Sequence, residues 1–294
     1  MIPFLKYYKL YYLFSGILAL ASITALFLFG LNLGIDFQGG TILELEFPEA
    51  PDIKKIKDTL SQFDLPETTF QSAGQNNIIL RFRSIDEETH QEILSQFQEK
   101  FSAQEVRFAN IGPIMSKEMR SKTITLILIS LLALFIYMSL AFRKIPPPVS
   151  GWQFGIVSLI TLFFDILIPL GLLAFLGKFF NVQFNIPIVT ALLTILGYTM
   201  NDKVIVLDRT RENLLSSSEA NITEIVNRSL NQILARSLST GFCSLLILLI
   251  LFFLGGESLK YFSLVLFVGI LVGTYSSLFL ASPILVTWLK RKQI

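Results

Sequence analysis

The chain has one cysteine, one histidine and few charges. Cys243 alone cannot build an internal disulfide framework, and with His90 as the single histidine there is no Cys/His constellation for zinc. A His-based hydrolytic triad is disfavoured because His90 sits in a polar, Glu-rich stretch without a neighbouring nucleophile motif. It reads as an exposed helix residue. No GxxxxGK[ST] segment is present to bind ATP. Charged residues make up 16% of the 294, and 24 Lys plus Arg against 22 Asp plus Glu leave a net charge of +2. That balance excludes a strongly basic nucleic-acid binder and an acidic disordered tail.

What is present is apolar: 52% hydrophobic residues, 27 of them Phe, with a mean hydropathy of +0.62. This is the composition of a membrane protein, with the lipid bilayer as its solvent. A hydrocarbon core of about 30 Å takes roughly 20 apolar residues in a helix. Six stretches reach that length, at 10–31, 122–142, 152–176, 186–207, 233–254 and 260–289. Lys6, Lys9 and Ala19-Leu20-Ala21 give the first stretch a look of a signal peptide, but its apolar run continues through Ile23 to Leu31 and predicts a retained anchor. Basic residues in the short segments set the orientation. Lys6, Lys9, Arg143, Lys144, Arg209, Arg211, Arg228, Lys290, Arg291 and Lys292 fall on one side, against Lys178 and Lys260 on the other. Both termini are therefore expected in the cytoplasm, and the long segment after the first span outside.

Three parts follow: an anchor helix at 1–32, an external domain at 33–121, and a five-helix remainder at 122–294. The external segment holds 15 of the 22 acidic residues. Thr41 to Phe47 alternates as a half-buried strand. From Pro51 a helical stripe of Ile53, Ile56, Leu60 and Phe63 follows. Thr68–Gln71 and Ile78–Arg83 read as strands joined by the turn Gly74-Gln75-Asn76-Asn77. Ser84 and Glu87 have capping-box spacing ahead of a helix burying Ile93, Leu94, Phe97 and Phe101, and Gln104 to Phe108 closes the set. The order β-α-β-β-α-β predicts a ferredoxin-like α+β domain, in which Glu44 and Glu46 would face Arg81 and Arg83 across neighbouring strands.

Within the spans the ionisable residues are Asp165, Asp202, Lys203 and Arg236. Each is costly in hydrocarbon, so a bundle-interior or water-lined place is expected. Asp165 stands four residues before Pro169, which deprives a backbone carbonyl of its helical donor, so a structural role competes with a functional one. Tyr198, Thr199, Met200, Asn201 and Asp202 gather polar or soft groups in little more than one turn. Burial opposes the charged form of a carboxyl, so Asp202 is a candidate to take up and release a proton, and Arg236 supplies a cation whose approach would oppose uptake. The alternative for Arg236 is snorkelling to the interface. Gly269 and Gly273, at i and i+4, suit close helix approach.

Gly34-Ile35-Asp36-Phe37-Gln38-Gly39-Gly40-Thr41 resembles the GIDFxGGT signature of the SecD/SecF protein-export family, on its SecF side. The stretch from Gly197 to Glu212, with Asp202, Asp208 and Arg209, is similar to that family's GYSxNDxxVxxDRxRE motif. Ser229-Leu230-Asn231-Gln232 through Arg236-Ser237 and Gly269 to Ser277 match in the corresponding spans. The resemblance implies kinship with proton-driven resistance-nodulation-division exporters and a place in the bacterial inner membrane. It implies SecD as partner, with a second six-helix bundle, and association with the SecYEG channel and YajC. It further implies a proton-driven pull on unfolded exported polypeptide, no cofactor, and proton-carrying roles for Asp202 and Arg236, with Asp165 in the same relay. Lys203 replaces a small hydroxyl residue of the family, Phe164-Asp165 replaces His-Asp with Pro169 near the usual Thr, and Ser116 replaces a Gly in the Gly112–Glu118 stretch. Lys203 is expected to pair with Asp202 or Asp165, within the usual ion-pair limit of about 4 Å; Tyr198 and Asn201 stand beside it as modulators. Gly34, Gly39 and Gly40 predict a positive-φ cap, a bulge or a hinge. A non-transporting scaffold, and half of a small-molecule exporter, are the competing readings.

Overall fold

Backbone polar groups have no water to bind in hydrocarbon, so long apolar runs fold as helices. The computed structural model describes residues 1–50, 52–63, 65, 68–73, 76–143, 150–216 and 221–292. In chain order the helices are α1 (Tyr8–Phe29), α2 (Ile35–Gln38), α3 (Ile53–Leu60), α4 (Glu87–Phe101), α5 (Pro113–Ala141), α6 (Gly151–Phe180), α7 (Ile186–Ser216), α8 (Ile222–Leu254), α9 (Glu257–Ser276) and α10 (Ser282–Lys292). A 3-10 turn, Phe4–Tyr7, leads into α1, and a π-helical turn, Ser277–Ala281, joins α9 to α10 as one continuous span. The chain divides into two compact units, Met1–Asn32 with Thr125–Ile294, and Leu33–Ile124.

The first unit is the bundle. Among the described residues six helical stretches are long and apolar enough to cross a membrane. Several overshoot it: the 31 residues of α7 are about 46 Å long at about 1.5 Å per residue, against a core of about 30 Å. The sequence marked only their apolar parts. Within this chain α6, α7 and the last span bury more than half of their apolar windows, whereas α1, α5 and α8 bury about a tenth or less. The interior is therefore the α6/α7/α9 junction, the place where an ionisable group is removed from lipid. Small residues allow that density. A Cβ on Gly171 of α6 would lie 2.4 Å from Ser22 Cβ of α1, and one on Gly269 of α9 would lie 2.1 Å from Ile195 Cδ1 of α7. α6 runs unbroken through Pro169.

The second unit carries an antiparallel sheet of β1 (Gly40–Glu46), β2 (Thr69–Ala73), β3 (Asn77–Phe82) and β4 (Gln104–Ile111) in the order β2-β3-β1-β4. With α3 and α4 between strands, this is the ferredoxin-like arrangement expected from the pattern. Leu43, Leu45, Ile56, Leu80, Ile93 and Phe97 form its core. Pro51 and the Gly74-Gln75 half of the expected turn lie outside the described residues.

Several side-chain expectations change. β1 and β3 are neighbours, but their register sets Arg81 opposite Ile42 and Ile79 opposite Glu44. Arg81 donates to Gln71 Oε1 at 2.8 Å, while Glu44 accepts from Asn77 at 3.3 Å and has Arg107 of β4 as its opposite residue on the other side. Arg83 follows the end of β3, so the four charges do not stand directly opposite one another in the ladder. Ile53, expected on the buried stripe of α3, is exposed. His90 is buried rather than exposed. It stands three and seven residues before Ile93 and Phe97, on the same apolar stripe of α4. Its ring stacks on Phe108 at 3.6 Å, and its nitrogens reach Glu87 Oε1 at 3.2 Å and Glu105 Oε2 at 2.7 Å.

The cap of α4 is Asp86, not Ser84, and Asp86 accepts from the Thr89 amide at 3.0 Å. Ser84 instead donates to Asn110 Oδ1 at 2.6 Å. Hydrogen bonds from the Thr89 side chain and amide hold the Asp86 carboxyl below its ordinary 3.8, and bonds from Gln91 and then His90 hold Glu87 below 4.5. Folded-state values lowered in this way contribute stability above the unfolded values, and that contribution is lost as pH falls through the folded ones. The protection factors of the α4 amides against hydrogen exchange should therefore fall below about pH 4. Asp86→Ala should lower them at neutral pH and flatten the acid dependence. An acid limb unchanged in the variant would show that the cap is not its origin.

Candidate functional site

The bundle interior gathers its charges on facing turns of α6 and α7, with two hydroxyl side chains of α9 against them. Asp165 of α6 is fully buried, as is Lys203 of α7. The Lys203 ammonium donates a short hydrogen bond to Asp165 Oδ2 and reaches Ser276 Oγ of α9 at 3.2 Å. Ser276 Oγ lies 2.5 Å from Asp165 Oδ1 and 3.1 Å from the Gly273 carbonyl. A serine has one proton to give, so Ser276 can accept from Lys203 while donating to Asp165. The result is a closed triangle in which both oxygens of Asp165 are bonded.

Asp202, one residue before Lys203, is buried at 2% exposure and lies outside the triangle. Its Oδ2 accepts from Thr274 Oγ1 of α9 at 3.4 Å, the long end of a hydrogen bond. Thr199 Oγ1, one turn earlier on α7, is buried without a hydrogen-bond partner among the described residues. Among the described residues the interior thus holds two buried carboxyls and one buried ammonium, which bonds only the first of them. A lone charge in such a place costs several kcal/mol, and a pair recovers this only with good geometry and satisfied hydrogen bonds. The Asp165–Lys203 pair has both; Asp202 has one weak partner.

Gly273 makes the gathering possible. A Cβ there would stand 1.9 Å from Thr199 Cγ2, 2.7 Å from Thr199 Cβ and 3.6 Å from Asp165 Oδ2. α9 therefore lies directly on the polar turn of α7, and the π turn begins immediately after Ser276. Ser277 Oγ donates back to the Gly273 carbonyl at 2.7 Å. π turns recur at functional sites because they reorient the side chains that follow.

The other expected residues scatter. Arg236 is exposed on α8, and no bond of its guanidinium occurs among the described residues, so the structure does not bring it to Asp202. Tyr198 turns to α8, with its hydroxyl 3.1 Å from the Thr240 carbonyl and 2.9 Å from Ser244 Oγ. Asn201 is exposed. Ser276 and Thr274 were not singled out in the sequence. Their only signal was their place within the Gly269–Ser277 match, after the glycine pair.

A model of the C-terminal region of SecD/SecF protein-export membrane proteins matches residues 90–291, and one of the SecD/SecF GG motif matches residues 24–47. The chain belongs to the SecD/SecF family. Its relatives include the protein translocase subunit SecF of Thermobaculum terrenum, 36% identical over 98% of this chain and 94% of that protein. The SecF of Rickettsia rickettsii is 35% identical over 98% and 92%. The crystal structure of SecDF from Thermus thermophilus matches 99% of the chain at 32% identity with a TM-score of 0.86. The chain spans nearly the whole of those SecF subunits but 39% of the SecDF chain. Its role is that of an accessory subunit of the protein translocase, in a multi-pass membrane setting.

In the SecD/SecF frame the remaining motifs acquire places. Gly34 caps α2 in an extended conformation, so the positive φ expected there falls instead on Gly30, at 66°, which closes α1. Asp36 lies in the single turn of α2. Gly39 and Gly40, the GG of the motif, have φ of 81° and 129°. A Cβ on Gly40 would stand 2.8 Å from the Phe82 carbonyl, so close strand approach as well as φ demands glycine there. In the second SecD/SecF motif Asp208 pairs with Arg211 at 3.2 Å, and Arg209 reaches Glu212 at 2.5 Å and Gln232 of α8 at 2.7 Å. Asn213 donates to Gln232 and Ser229, each at 2.8 Å. These bonds clamp α7 to α8 beyond the buried cluster.

Proposed function

We propose that this subunit uses the proton gradient to promote late steps of polypeptide export across the bacterial inner membrane, with Asp202 as the group that takes up and releases the proton. The observation that carries the reading is the imbalance of two buried carboxyls against one buried ammonium. Charge balance in that interior needs one proton, and the loosely held carboxyl is the one free to bind it. Lys203 lies next to Asp202 in the chain, so a rotation of its side chain could exchange Asp165 for Asp202 as partner. Ser276 and Thr274 on α9 would then feel the change, which couples protonation to the α7–α9 contact. A resident ammonium also repels a metal cation, which favours H⁺ over Na⁺.

The basic bias of the short segments supports cytoplasmic termini and puts the ferredoxin-like unit on the far side, where it would meet emerging unfolded chains. SecD is the expected partner, its bundle lying against helices that this chain leaves exposed, with Arg236 presented to it; SecYEG, with YajC, would supply the channel. Asp202→Asn should abolish gradient-dependent secretion in vesicles while leaving assembly intact, and Arg236→Ala should reduce it strongly. Normal gradient-dependent secretion in both would leave the charges a purely structural role in a scaffold.

A further inference from the structure

The N-terminal segment forms a fixed wall of a second site, remote in sequence from the buried cluster. The backbone N–H of Ile2 donates to Asn231 Oδ1 at 2.8 Å, and the carbonyl of Ile2 accepts from Asn231 at 2.9 Å and Asn227 at 3.1 Å. The Leu5 amide donates to Asn227 Oδ1 at 3.4 Å, and Phe4 and Leu5 are buried in the bundle core. These contacts hold the 3-10 turn against the first three turns of α8. Between them lies an open cavity of about 700 Å³.

Its lining is apolar at Pro3 and Leu5 and cationic at Lys6 on the N-terminal wall and Arg228 on α8. Neither cation forms an ion pair among the described residues. Glu224, the one acid lining the cavity among the described residues, accepts from Asn221 at 2.9 Å. Thr223 also lines it, its Oγ1 buried without a hydrogen-bond partner among the described residues. Both walls stand at the starts of helices long and apolar enough to cross a membrane, Phe4–Phe29 and Ile222–Leu254, and the apolar part of the second begins near residue 233. Helix length beyond the hydrocarbon core passes into the polar headgroup layers, which add about 10 to 15 Å in all.

We propose that this cavity binds the phosphate of an anionic glycerophospholipid. Lys6 and Arg228 hold the phosphate oxygens, and Pro3 and Leu5 receive the glycerol and the upper acyl carbons. Basic pockets between spans suit such headgroups, and each nearby cation adds appreciably to the binding of an anionic lipid. The carboxyl of Glu224 stands in the same cavity and sets a limit on how close a second negative group can come. The site does not depend on the proton reading.

The test uses the full chain in mild detergent with phosphatidylglycerol or phosphatidylcholine added, retained lipid being counted by native mass spectrometry. One phosphatidylglycerol per chain should be held in preference to phosphatidylcholine. The double variant Lys6→Gln/Arg228→Gln should retain it about tenfold less well or worse, and Lys6→Arg/Arg228→Lys should keep it. Lys9→Gln/Lys290→Gln removes the same amount of charge outside the cavity and should also keep it. Equal loss in both Gln pairs would reduce the effect to diffuse surface charge and overturn the site, as would equal retention by all variants. Displacement by millimolar inorganic phosphate would support the anion chemistry and assign a soluble phosphate as the occupant, whereas resistance to it assigns the lipid.

Discussion

Lys203→Met should destabilise the bundle by about 3–5 kcal/mol, because it leaves the Asp165 carboxylate buried and unpaired. Asp165→Asn should cost a similar amount by stranding the ammonium. The informative variant is the double one, Asp165→Asn/Lys203→Met. It removes both charges while keeping comparable volume, and a buried pair exchanged for neutral groups is often neutral or stabilising. The double variant should thus recover most of the loss seen in either single change, measured as the thermal unfolding midpoint in detergent. Recovery is also expected to uncouple function. With no ammonium beside it, Asp202 would have lost its competitor, and gradient-dependent secretion should fail in a well-folded subunit. If the double variant is as unstable as the sum of the singles, the pair is not acting as a unit, and the buried triangle of Lys203, Asp165 and Ser276 does not describe the working protein.

Gly273→Val should be nearly as damaging, for reasons of space. The first added carbon would overlap Thr199 Cγ2 at 1.9 Å and Thr199 Cβ at 2.7 Å, and the branch would approach Asp165. Overpacking in a well-filled interior typically costs about 1–3 kcal/mol. Here the enforced separation of α7 and α9 would also pull Thr274 from Asp202 and Ser276 from Lys203. Gly273→Ala should therefore lose both stability and gradient-dependent secretion, and Gly273→Ala/Thr199→Ala should regain part of each, since the worst overlap is with the threonine methyl. Full stability in Gly273→Val, measured by the same unfolding midpoint, would mean that the helices are not in contact there.

The spans and the ferredoxin-like topology were legible because they rest on repetition. Twenty apolar residues in a row, or Leu43, Leu45 and Phe47 at a period of two, state a preference many times over. What escaped the sequence was decided by single contacts. Ser84 and Asp86 are both good cap residues, and only the chain path, which takes Ser84 to Asn110, chooses Asp86. His90 looked exposed by residue type, yet its spacing from Ile93 and Phe97 was a readable sign of burial. The β1–β3 pairing followed from topology, but no short turn joins these two strands to set their register, and a shift between Glu44 and Leu45 alters the β1–β4 register as well. Lys203 was seen as a departure with two possible partners. The choice of Asp165 came from α9, because Ser276 lies against both groups and bridges them. Arg236 shows the other limit, since an exposed cation on one chain takes its meaning from whatever covers it.

The closed triangle has an energetic corollary. One elementary charge crossing a membrane at 100 mV yields about 2.3 kcal/mol. On the proposed proton reading, two carboxyls and one ammonium leave room for one proton, so a single stroke would have about that much work at its disposal. Stranding one member of a buried pair costs about 3–5 kcal/mol, more than the stroke supplies. A cycle that pulled Lys203 free of both carboxylates would stall. The affordable motion is an exchange in which a new bond forms as the old one breaks, so the power stroke should be short, confined to the turns around Ser276, and amplified by the length of the helices that carry them.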